Sequence, residues 1–258
     1  MTDSTLRRPP LGLVLRSLLL ADLLVLTRSG RTLVLNFATP LLILFITSIN
    51  HQRNRNLTFG GPAFVIGMAI TYGLVSSSLI GYSATVARDR EMGVLQRLRV
   101  TPAPTWTIMV SRLGVQVVAN TLMTIVALVA GSIIHQVVFT PEGYVLLFAV
   151  SLLGGALFLA MGQALVGLVR SVSTVNAAGR ILFIVLILLG LLGASGTLGD
   201  TVKSISTWSP VGALSQLFSA VLDLSSWSLT DTGTLLACFG YVAVFGVIGI
   251  KWFRWDPR

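Results

Sequence analysis

Apolar residues run through this chain in long unbroken blocks separated by short polar stretches, unlike the half-polar periodicity of a water-soluble domain. A bilayer core about 30 Å thick takes about 20 apolar residues in helix. Six blocks fit that length, at residues 32–50, 62–87, 104–134, 144–169, 180–197 and 232–252. The pattern predicts an all-α integral membrane chain with six transmembrane helices, organised as a single transmembrane domain over residues 1–258. Pro40 lies mid-way through the first block and predicts a kink there, because proline removes one backbone hydrogen bond. Arg112 lies inside the third block, where it is expected to snorkel to the nearer interface.

Three stretches depart from this layout. Residues 11–27, LGLVLRSLLLADLLVLT, are apolar but interrupted by Arg16 and Asp22. On a helical wheel Arg16, Ser17, Thr27 and Arg28 share one side, which predicts a helix lying in the membrane interface. Residues 198–231 form a long connection in which Ser209 and Pro210 read as an N-cap and first helical position. The VGALSQLFSAVL that follows is apolar enough to enter the membrane but too short to cross it. Trp208 and Trp227 flank it as interfacial anchors would, predicting a re-entrant or surface-lying segment that includes Phe218. The third stretch, RDREMGVLQRLRVTPAP at 88–104, carries six charges in its first twelve residues. Taken as one helix, 89–99 sets Met92, Val94, Leu95 and Leu98 on one arc, and Asp89, Arg90, Gln96 and Arg97 on the other. Glu91 then falls on the apolar side, and Thr101-Pro102 ends the helix. A carboxylate among apolar residues fits a protein partner offering a groove and a donor better than it fits a lipid surface.

Charge fixes the orientation. With six spans, Arg53, Arg55 and Lys203 fall on one side and the other fifteen of the 18 Lys and Arg residues on the opposite side. The positive-inside rule makes that second side cytoplasmic and places both termini there. This asymmetry accounts for the net charge of +9 without any nucleic-acid partner. The mean hydropathy of +0.87 and 54% hydrophobic content agree with a membrane class. Arg outnumbers Lys 16 to 2, a bias expected of a GC-rich bacterial genome.

The chemistry missing from the sequence matters as much. No acidic residue falls at a span centre, and His51 and His135 have no matching ligand cluster, so no metal site is expected. The lone Cys238 supports neither a disulfide framework nor a cysteine metal site. No glycine-rich phosphate loop precedes either lysine, so any ATP-driven work requires hydrolysis on another chain. Polar residues inside the spans, Ser76–Ser78 and Asn120 among them, are expected mostly to form hydrogen bonds between helices or to the backbone, and less often to contact a passing molecule. On the second reading Asn36, Thr39, Tyr72, Ser76 and Tyr82, with the aromatic Phe37, are the candidates to line a pathway.

The segment REMGVLQRLRVTPAP, placed after the second of six spans, resembles the cytoplasmic signature of ABC-2 type permeases, the membrane subunits of ATP-binding cassette exporters. That signature reads roughly Glu-x-Gly-Thr-Leu-Glu-x-Leu-x-x-Thr-Pro, and Glu91, Gly93, Leu95, Leu98, Thr101 and Pro102 match it. Val94 and Gln96 stand where the signature has threonine and glutamate. The N-terminal amphipathic helix, the six-span layout and the TWSPVGAL region extend the likeness over nearly the whole chain.

The resemblance implies a coupling helix over 88–101 that rests on a separate ATPase, with Glu91, Met92, Gly93, Leu95, Arg97, Leu98, Thr101 and Pro102 as the coupling residues. It implies two ATPase copies carrying ATP and Mg, no cofactor or catalytic residue on this chain, and a second permease chain in a homo- or heterodimer. Trp208, Pro210 and Phe218 would then guard the outer end of the path. The expected setting is a bacterial plasma membrane and the expected cargo a hydrophobic or amphipathic compound such as a drug, antibiotic or lipid. The competing expectations are an ATP-independent secondary transporter or channel, which would call for buried acids and paired broken helices, and a non-transporting membrane scaffold.

Overall fold

The computed structural model describes residues 11–28, 30–53, 61–94, 97, 104–195 and 199–252. Of the described residues 91% are helical and none lies in a strand. Helix α1 spans Leu11–Arg28 and α2 spans Gly30–Arg53. A continuous column follows: α3 (Gly61–Leu74), a wider π-helical segment (Val75–Tyr82) and α4 (Ser83–Glu91). Then come α5 (Thr105–His135), α6 (Pro141–Leu168), α7 (Val172–Ser195), α8 (Asp200–Trp208), α9 (Pro210–Ala220), a 3-10 turn (Leu224–Ser226) and α10 (Leu229–Lys251).

Among the described residues, five helices are long and apolar enough to cross a membrane: Ala63–Glu91, Trp106–His135, Pro141–Leu168, Val172–Leu191 and Leu229–Lys251. The expected first span is a helix that runs through Pro40 without interruption, and its apolar part is the shorter Asn36–Ile49. The fifth span starts at Val172 instead of 180, because Arg180 sits exposed on the helix surface and marks no boundary.

Local signals explain where the helices begin. Thr140 caps α6 by accepting from the Gly143 N–H, with Pro141 in the first turn. Ser228 and Asp231 form a reciprocal capping box at the head of α10. Ser209 accepts from the Gly212 N–H and Pro210 takes the first position of α9. That 11-residue helix reaches only about 16 Å. It is inserted into the bundle and does not lie on its surface, since Val211, Ala213, Leu214, Leu217 and Phe218 are all fully buried.

The column of α3 and the π-helical segment forms the centre. It packs against α6, with α5 on one flank and α9 over the end remote from Glu91. Close approach depends on small residues, since packing between membrane helices lacks a hydrophobic drive and relies on contact. A side chain at position 162 would lie 2.6 Å from the Ser78 backbone oxygen, so α6 and the π-helical segment meet almost backbone to backbone. The α8–α9 corner is tighter: a Cβ at position 212 would lie 1.8 Å from the backbone oxygen of Ser206. Ser206 in turn donates to the Leu189 carbonyl, which pins this corner to α7.

The expectation of one unbroken helix over 89–99 is corrected. Residues 88–91 belong to the last turn of α4, and helix resumes at Val94 and Arg97 only after a break, while residues 95, 96 and 98–101 lie outside the described residues. The column stops at Met92–Gly93, where Gly93 takes a φ of +70°, a left-handed conformation suited to glycine. The break at Met92–Gly93 separates Glu91 from the helical residues Val94 and Arg97. Arg112 pairs there with Asp89, and both side chains are mostly buried, at 13% and 16% exposed.

Gly212→Ala should destabilise the protein by about 2–3 kcal/mol, because backbone atoms block the new methyl group and no rotamer relieves the clash. Gly240→Ala meets nothing within 4 Å and should be neutral or slightly stabilising. Thermal unfolding of both variants in the same detergent checks the contrast.

Candidate functional site

The charged turn that ends α4 touches every neighbouring element. Three consecutive residues, Asp89, Arg90 and Glu91, each reach a different one. Asp89 accepts from Arg112 on α5. Arg90 is 2% exposed, and its guanidinium donates to the backbone oxygens of Val166 at 2.9 Å, Val169 at 2.7 Å and Arg170 at 2.7 Å. Glu91 Oε1 accepts the N–H of Val172 at 2.8 Å.

The chemistry follows from how helices end. The last carbonyls of α6 and the first N–H groups of α7 have no partner within their own helices. Arg90 supplies donors in a fixed planar fork to the first set, and Glu91 supplies an acceptor to the second. The signs also suit the helix dipoles, since a cation sits at the C-terminus of α6 and an anion at the N-terminus of α7. Such placements contribute about 0.3–1 kcal/mol each at exposed sites and up to about 2 when partly buried. The α6–α7 link is only Val169–Ser171, so the two side chains clasp both sides of one short turn.

A second link continues the belt. Ser111, next to Arg112, donates to Asp22 Oδ2 of α1 at 2.7 Å. The helix expected to lie at the interface is thereby fastened to α5, and α5 through Arg112 to α4. Arg112 Nε is buried and has no hydrogen-bond partner among the described residues.

Of the residues proposed for coupling, Glu91 is exposed and engaged with α7, Met92 is 56% exposed, Gly93 forms the turn, and Arg97 is exposed. Leu95, Leu98, Thr101 and Pro102 lie outside the described residues. The structure gathers most of the pathway candidates around the π-helical segment. Thr39 donates to Ser76 at 3.2 Å, and a Cβ at Gly81 would lie 3.4 Å from Asn36 Oδ1. Phe37 is half-buried against the core. Tyr72 donates to the Ile187 carbonyl of α7 at 3.2 Å, and Tyr82 to Gln163 Oε1 of α6 at 2.7 Å, so both phenols find partners within this chain. At the remote end, Trp208 stays half-exposed beside Gly233, its carbonyl accepting from Tyr241, while Phe218 is buried against Gly67.

Sequence reasoning missed the burial of Arg90, which it set on the polar arc, although a cation at the end of an apolar span was a sign of local pairing. It expected hydrogen bonds between helices for Ser76–Ser78 and Asn120, and the structure shows which groups meet at the π-helical segment. There Ser77 donates to Asn120 Oδ1 at 2.9 Å, Asn120 Nδ2 donates to Ser78 Oγ at 2.9 Å, and Gln116 donates to Ser77 Oγ at 2.6 Å. The serine run Ser76–Ser78 and Asn120 were the traces of this polar knot in the sequence.

Residues 46–251, from within α2 to the end of α10, match the family model described as "ABC-2 family transporter protein". The chain belongs to the ABC-2 transporter family. A Bacillus subtilis (strain 168) protein named "Putative transport permease YvfS" is 26% identical over 148 residues. That match covers 57% of this chain and 60% of the relative's length. The ABC-2 assignment makes the chain a multi-pass membrane protein of the permease class, and the family normally pairs with an ATP-binding subunit. The matched region contains the whole Asp89–Glu91 clasp and the α6–α7 turn it holds. Asp22 and α1 lie before it.

The Asp89–Arg112 pair can be weighed by a double-mutant cycle with Asp89→Asn and Arg112→Met. Each single change strands a mostly buried charge and should cost about 3 kcal/mol. The double variant should cost less than the sum, with a coupling of about 1–3 kcal/mol, measured by reversible unfolding in mixed micelles.

Proposed function

We propose that this chain is the membrane-spanning permease of an ABC-2 exporter, in which two permease chains work with two separate ATPase chains. ATP and Mg are bound and hydrolysed on the partner, and this chain supplies the pathway. The cargo is a hydrophobic or amphipathic compound, for which the spans offer an apolar route with scattered hydroxyl and amide groups. In this reading α2 is the first of six spans, added to the five long apolar helices, and α1 lies in the interface. The Glu91 end and both termini face the cytoplasm of a bacterial cell, and α9 is the re-entrant segment near the outer end. ATPase contact is made by the chain that follows the Met92–Gly93 turn.

The observation that carries the proposal is the end of the α3–α4 column. It stops in an exposed turn at Met92–Gly93, while the three residues before that turn are tied to α5, α6 and α7. A push applied beyond the turn would reach most of the bundle at once. Support for the orientation comes from the fifteen Lys and Arg residues that a six-span layout puts on this side.

Affinity purification of the tagged chain in mild detergent from its own cells should bring down an ATP-binding-cassette ATPase in equimolar amount, and the complex should hydrolyse Mg-ATP. A chain that purifies alone and transports without ATP would instead be a secondary transporter. One that pairs with an ATPase-free complex and moves nothing would be a scaffold.

A further inference from the structure

The clasp at the end of α4 is built differently from an ordinary helix cap. Most helix ends near a membrane surface are satisfied by water or by their own Ser, Thr and Gly residues. Here a buried arginine and its neighbouring glutamate, both from another helix, serve the two sides of the α6–α7 turn. Burying a guanidinium carries a desolvation cost, and that cost is offset only when the geometry is held closely. Arg90 meets this condition with three carbonyl partners on two sides of the α6 terminus.

The clasp also sits between two softer points. Below it, Gly93 breaks the helix with a positive φ. Above it, residues Val75–Tyr82 adopt the wider π-helical form, a geometry often associated with functional sites. Between these points α4 is a short rod of nine residues, and α7 packs alongside both it and the π-helical segment.

We infer that Arg90 and Glu91 are positioning residues that join α4, the end of α6 and the start of α7 into one moving body, with Gly93 as the pivot through which a partner drives it. Glu91 thereby acts on its own chain, and contact with the ATPase is left to the residues after the pivot. This rests on the proposed ATP-coupled function and adds the route by which motion enters the helices.

The test uses the complex of this chain with its co-purified ATPase, in a Cys238→Ala background so that introduced cysteines are the only ones on the permease. One pair of spin labels goes at Phe45 of α2 and Ile184 of α7, both outward-facing. Mg-ATP with vanadate should change this distance in the otherwise native protein. With Arg90→Gln or Glu91→Ala the change should be lost while Mg-ATP hydrolysis continues. Arg90→Lys should restore it in part, and Glu91→Gln, which keeps the acceptor oxygen, should restore most of it. A second pair at Met92 and Thr174 should keep the same distance with and without nucleotide, because the clasp spans it.

A Phe45–Ile184 change that survives in folded, assembled Arg90→Gln and Glu91→Ala complexes overturns the inference. So does a nucleotide-dependent Met92–Thr174 distance, and this second readout decides the matter if those variants fail to fold. If no ATPase accompanies the native chain, or nucleotide moves neither pair, the proposed function itself is wrong.

Discussion

The architecture depends on satisfying the backbone groups left open where α6 ends and α7 begins. Those groups have no partner within their own helices, and Arg90 and Glu91 supply one from a single turn of α4. Because the two residues are adjacent, the end of the central column cannot shift relative to the α6–α7 turn without breaking bonds on both sides. Asp89 extends the same constraint to α5, and Ser111 extends it to α1 through Asp22. Four helices and a turn are thereby registered against a single tripeptide.

The rest of the bundle is held by contact. Gly162 admits the Ser78 carbonyl, Gly67 admits Phe218, and Gly154 admits Leu214. The π-helical segment belongs to the same logic, since it turns Ser77 and Ser78 toward Asn120 and presents Ser76 to Thr39. Each polar group there is paired across helices, so the centre of the membrane holds a hydrogen-bonded knot instead of isolated polar side chains. The two tyrosines follow suit: Tyr72 and Tyr82 bind α7 and α6 within this protomer.

The two ends of the molecule differ in kind. At the Glu91 end, charges fasten helix termini and the chain then turns at a glycine. At the other end a short apolar helix, α9, is wedged among α3, α6, α7 and α10, with its corner fixed by Ser206, Ser209 and Gly212. A charged, articulated end suits an exchange of force with a soluble partner. A wedged apolar end suits closure of a pathway against water. Membership of the ABC-2 family is consistent with that division of labour.

The sequence by itself determined the class, the helical content, the boundaries of most long helices and the caps at Ser209–Pro210. These follow from apolar run length and from local signals of a few residues. It also marked residues 88–104 as the exceptional stretch, because charge density is a local property. The roles within that stretch were a different matter. A helical wheel drawn over 89–99 assumed one unbroken helix, and it placed Arg90 on the polar arc and Glu91 against a partner. Only the tertiary structure, by ending the helix at Gly93 and bringing the α6–α7 turn beneath it, decided that Arg90 is buried and that Glu91 serves its own chain. The π-helical segment and its links to Asn120 were hidden for the same reason. The partners of Arg90, Glu91, Ser77 and Ser78 are about 40 to 80 residues away in sequence, and which polar groups meet across such a distance is set by packing, not by any pattern a local window contains.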